Sequence, residues 1–186
     1  MPHVELSRWR TWLYWTRYYL GARLKLLVDS WLERSAPQQV VDGLFLVDPH
    51  GDSDSESRFA TLQEALRLIE YYDPLRYRSL KRYIRRIIVD DSIPARAMYF
   101  LGTGVCVIRP DLLGSGRATI ASALVHETTH ARLDRLGVRQ SPDRHARIES
   151  LCMSQEIDFV SHFPQTPELK QWMQNMMNHI ARIERS

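Results

Sequence analysis

The sequence predicts an α+β domain in which a small mixed sheet packs against long helices. Three observations carry this. Short β-rich runs at 40–47, 87–89 and 98–108 have strand length and strand composition. Longer stretches at 61–72, 75–86 and 117–137, and one opened by Ser141-Pro142, place apolar residues at helical spacing or carry helix-start signals. The 186 residues contain no internal repeat, low-complexity tract or visible boundary, so 1–186 is expected as a single domain.

Taken in order, residues 1–35 are expected to form an N-terminal amphipathic aromatic helix over 6–33, with Trp12, Trp15 and Tyr19 at i, i+3 and i+7. Such a helix packs on a core or, with its Arg and Lys residues, lies at a membrane surface. Pro37 breaks it. Val40–Val47 then reads as β structure with a turn at Asp42-Gly43, followed by a polar acidic loop over 48–56. Asp52, Asp54 and Glu56 alternate as calcium ligands do, but the glycine of a calcium loop is missing, so a solvated loop is expected. Thr61-Leu-Gln-Glu64 reads as a capping box opening a helix to about Tyr72, which Asp73-Pro74 ends. The next helix, 75–86, carries Arg76, Arg78, Lys81, Arg82, Arg85 and Arg86. Lacking convincing aromatic interleaving or a known motif, these read as a solvated face, not a phosphate-binding stripe. A last helix is expected within 165–186.

Composition narrows the classes. Hydrophobic residues make up 44% and charged residues 25%, which argues against disorder for most of the chain. A net charge of +3 and a pI near 9.0 are too mild to argue for nucleic acid. Cys106 and Cys152 lack CxxC spacing and read as buried thiols of a reducing compartment. Within Trp9–Trp31 the longest uncharged run is six residues, too short for a spanning helix or a signal peptide. A cytoplasmic protein is expected, with peripheral membrane contact through 6–33 as the alternative.

Chemistry concentrates in the stretch His126-Glu127-Thr128-Thr129-His130. On one helix, residues four apart point only about 40° apart, one turn up. Two imidazoles so placed can share a metal ion. Glu127, about 100° further round, can lie beside a water on that ion. The bland alternative is a pair of ordinary helix histidines.

Ile120-Ala-Ser-Ala-Leu-Val-His-Glu-Thr-Thr-His-Ala-Arg-Leu133 resembles the active-site helix of the zincin metallopeptidases. The resemblance spans 119–150, about one sixth of the chain. It excludes the metzincin pattern, because Leu133 and Leu136 stand where a glycine and a histidine are needed. It favours the gluzincin pattern, whose third ligand is a glutamate on the next helix. Glu149 lies nineteen residues after His130. The resemblance therefore implies a zincin-like fold: a small mixed sheet packed on a metal-binding helix and a following ligand helix. It also implies one Zn2+ per chain held by His126, His130 and Glu149. His145 and Glu156 are rival third ligands, and Cys152 is a thiol nearby. The family's aspartate four residues after the ligand glutamate is Met153 here. Asp134, one turn beyond His130, is the substitute outer partner or else a surface charge.

The function so implied is hydrolysis of a peptide or amide bond by a zinc-activated water, with Glu127 as general base and a peptide or protein as substrate. Tyr99, His145 and His162 are candidates for stabilising the oxyanion. The strand before the metal helix would form the cleft's upper edge. The short tail after Glu149 implies an open, shallow cleft. A metal-stabilised binding or scaffolding protein without turnover is the alternative. Oligomeric state is not legible.

Overall fold

A computed structural model describes residues 36–138, 140–164 and 167–183. The aromatic helix expected over 6–33 lies outside the described residues.

The described chain opens with a hairpin, β1 (Gln38–Val41) and β2 (Leu44–Val47). Asp42 and Gly43 have φ of 51° and 83°, the paired positive values that let a two-residue turn match the twist of its strands. Helix α1 (Ser55–Tyr72) follows. It starts six residues before the expected capping box, and Thr61 does not cap it: its hydroxyl donates back to the Ser57 carbonyl at 2.9 Å. The start is fixed by Asp48 instead. That carboxylate is fully buried and accepts from Ser55 Oγ at 2.9 Å, Arg58 at 2.7 Å and the His50 N–H at 3.1 Å. Arg58 also holds Asp52 through two contacts of 2.9 Å. The acidic loop is thus tied down by Arg58, whose hydrogen bonds keep the Asp52 carboxyl below its ordinary pKa.

Asp73 caps α2 (Pro74–Tyr83) by accepting from the Arg76 N–H at 2.9 Å, and Pro74 takes the first position, where no N–H is required. The helix ends three residues before the expected 86. Its cations are largely engaged. Arg76 binds Asp73, Gln155 and Asp158; Lys81 lies 3.7 Å from Asp42 and over the Tyr77 ring; Arg85 donates to the Thr103 carbonyl.

β3 (Arg86–Val89), β4 (Ala97–Phe100) and β5 (Val105–Ile108) complete a five-stranded mixed sheet of order β1-β2-β3-β5-β4. β3 runs parallel to both neighbours, and its Ile87, Ile88 and Val89 are all buried, as a strand covered on both faces requires. The register sorts the faces. Leu46, Ile87, Cys106 and Tyr99 lie in one row and join the large core under the helices; Val47, Ile88, Val107 and Met98 form a smaller cluster behind. β4 is antiparallel to β5 and forms the sheet edge.

A short α3 (Pro110–Leu113), absent from the sequence reading, leads into α4 (Arg117–Arg135). Ile120, Leu124 and Ala131 are buried along α4, as their spacing predicts, together with Ala121, Val125 and Thr128, while Ala123 is half-buried and Leu136 at its end is exposed. Gly137, at φ 76°, ends it, with its N–H returning to the Asp134 carbonyl and that of Val138 to Leu133. α5 (Pro142–Ser161) packs along α4, and α6 (Pro167–Ile183) packs on α5. The fold is therefore α+β, with a mixed sheet and six helices among the described residues. No described helix is long and apolar enough to cross a membrane.

Candidate metal centre

Helix α4 presents His126 and His130 on one face, one turn apart, as their spacing dictates. Their Nε2 atoms are 3.0 Å apart. α5 brings Glu149 against both: Oε2 lies 3.4 Å from His126 Nε2 and Oε1 lies 3.4 Å from His130 Nε2. Bonds of 2.0–2.2 Å at tetrahedral angles place zinc ligands about 3.3–3.4 Å apart. On two packed helices, Glu149 stands at that spacing from both imidazoles, and the two imidazole nitrogens lie slightly closer together, at 3.0 Å. Two imidazoles and a carboxylate are also a donor set that suits zinc. The residues fit the ion.

The outer nitrogens of the imidazoles are occupied too. His126 Nδ1 faces Glu156 Oε1 at 3.7 Å, and Ser122 Oγ donates to that same oxygen at 3.3 Å. Glu156 is buried and sits behind the histidine. It is an orienting partner in position, not a third ligand. It lies two helical turns past Glu149, on the same face of α5. His130 Nδ1 meets the Gln140 side-chain amide at 3.1 Å. With the amide turned so that Oε1 faces the ring, Gln140 accepts from Nδ1–H and frees Nε2 for a ligand bond.

Glu127 is kept apart from this set. It is buried, and its Oε2 accepts the Tyr99 backbone N–H at 2.6 Å. Burial raises its pKa to about 7, against the opposing pull of His126 and the Tyr99 N–H. A carboxyl with a pKa near neutrality in the lining of this cleft is suited to receiving and returning a proton. Burial disfavours the charged form of His126, but Glu149, Glu156 and Glu127 outweigh it and hold the imidazolium up to about 10. Burial and the neighbouring His126 push His130 down to about 4.

Other expected residues fall differently. Asp134 does not support His130. Its carboxylate accepts from Tyr99 Oη at 3.0 Å and from the Gly102 N–H at 2.6 Å, pinning the β4–β5 turn to α4. The Tyr99 phenol, raised to about 12 by burial and Asp134, is therefore committed to that clamp and not to the histidine cluster. His145 lines the cleft, with Nδ1 at 3.7 Å from Glu149 Oε1. His162 is at the far end of α5 and does not line it.

The cleft has a volume of about 560 Å³ and is bounded by β4 on one side and by His145, Met153 and His179 on the other. His179 comes from α6, so the last helix supplies part of the far wall. Nothing in the sequence pointed to His179 or Gln140, because tertiary packing alone brings them there. Ser122 and Glu156, at i−4 from His126 and i+7 from Glu149, were legible as same-face neighbours. No protein-family model matches this chain, and no curated protein or solved structure is similar to it.

Proposed function

We propose that this chain is a zinc-dependent hydrolase of the zincin type, acting on a peptide or amide bond. The reading rests on one observation: two imidazoles and the Glu149 carboxylate converge at ligand spacing, while Glu127 is held separately at the same cleft. Zinc, when bound, makes water a nucleophile at neutral pH and polarises a carbonyl. The residues supply the rest. His126, His130 and Glu149 hold the ion; Glu156 and Gln140 fix the imidazoles; Glu127 takes a proton and returns it to the leaving amine. His145 and His179 are the polar side chains of the far wall available to a developing oxyanion.

Substrate geometry follows from β4. The Tyr99 N–H goes to Glu127 and not to β5, so Tyr99 and Cys106 form a non-hydrogen-bonded pair. By the same alternation the polar backbone of Ala97 points outward. An extended peptide can add along this edge, over the metal ligands. The scaffolding alternative gives no use to a buried carboxyl held beside the ligand set.

The test is Glu127→Gln. It should retain zinc while hydrolysis of a peptide or amide substrate falls by about 10²–10⁴-fold, the usual worth of a general base. Undiminished turnover in this variant would remove Glu127 from the chemistry.

A further inference from the structure

Cys152 lies on α5 between Glu149 and Glu156, three residues after the first and four before the second, on the face turned to α4. Its side chain is fully buried. Its Sγ, His126 and His130 offer ligand atoms that all lie within 4.8 Å of one another. No hydrogen-bond partner for that thiol is found among the described residues. The other buried cysteine, Cys106, differs: its Sγ lies 4.0 Å from the Val107 carbonyl, on the sheet. A zinc–sulfur bond of 2.3 Å beside a zinc–nitrogen bond of 2.0–2.1 Å puts the two ligand atoms about 3.6 Å apart. Ligand atoms within 4.8 Å of one another are close to that spacing.

Resting on the metal reading above, we propose that Cys152 is a fourth ligand of the centre, closing the position left open by His126, His130 and Glu149 when no substrate is bound. The cleft then holds a latent centre. On closure the S–H bond breaks and a sulfur–metal bond forms. A water leaves the fourth position, and the proton passes to Glu127 and on to solvent. Entry of substrate reverses these changes. The chain thereby restrains its own hydrolysis, with a thiolate that binds zinc more strongly than it binds harder divalent ions.

The probe is Co2+ loaded into the full chain, read by absorption. Wild type and Cys106→Ser should both show an intense near-ultraviolet thiolate-to-cobalt band, and Cys152→Ser should lose it while keeping the visible bands of bound cobalt. Zinc affinity of Cys152→Ser, by competition with a chromophoric chelator, should fall by more than the roughly 10–100-fold typical of an outer partner. Cobalt bound at one per chain without the thiolate band overturns the role of Cys152 and leaves the metal centre standing. Failure to bind cobalt or zinc overturns both. If Cys152→Ser does not fold, the band in Cys106→Ser decides alone, since that variant keeps only one thiol.

Discussion

His50, Asp90 and Asp91 bring three ligating atoms within 4.8 Å of one another near the carboxyl ends of the parallel strands β2 and β3, as His126, His130 and Cys152 do between α4 and α5. The two groups share ligand chemistry and little else. His50 and Asp91 are exposed on loops, and Asp90 accepts the Ser92 N–H in a local turn. His130 and Cys152 are buried on packed helices, and both imidazoles have partners behind them in Glu156 and Gln140. Proximity alone is common among surface charges. The helical cluster is desolvated and its outer atoms are also engaged, the arrangement that would orient ligands before an ion arrives, and that separates the two regions.

Removing one ligand from each group should separate them most sharply. His130→Ala should abolish tight zinc binding, whereas Asp90→Asn should leave zinc content unchanged. Zinc lost from Asp90→Asn and kept by His130→Ala would show that the exposed group, not the helical one, retains the metal. A milder probe keeps the ligands and removes their support. Glu156→Gln should weaken zinc by about 10–100-fold without abolishing it, measured by chelator competition. An unaltered affinity would reduce Glu156 to a core carboxylate. The smallest effect concerns the clamp. Asp134→Ala removes the acceptor of the Tyr99 hydroxyl and the Gly102 N–H, and should cost about 2 kcal/mol in denaturant unfolding while zinc stoichiometry stays constant. Loss of metal in Asp134→Ala would return that carboxylate to the metal centre, one of the two roles its sequence position left open.

What could be read in advance follows from the range of the interactions. The β1–β2 turn, the ends of α4 and the first position of α5 are local matters of Asp42-Gly43, Gly137 and Pro142, and the structure agrees with each. The capping box at Thr61 was misread because Asp48, thirteen residues upstream, buries itself under the helix start and moves it. The histidine pair was legible from a four-residue spacing. The partners at its back were less so. Asp134 has a suitable helical position for His130 but is drawn away by the β4–β5 turn, a contact across more than thirty residues. Gln140 sits in the α4–α5 connection, where no periodicity speaks. The expected shallow cleft is bounded by α6 through His179, which only the packing of the last helix reveals.

The proposed function requires that His126, His130 and Glu149 form one zinc site. Metal analysis of the full chain, purified without chelators, tests it most directly beside His126→Ala and Glu149→Ala. One zinc per chain in the wild type, falling to background in His126→Ala and markedly reduced in Glu149→Ala, is the predicted result. A wild-type chain that carries no zinc and takes none up from zinc-containing buffer would contradict it.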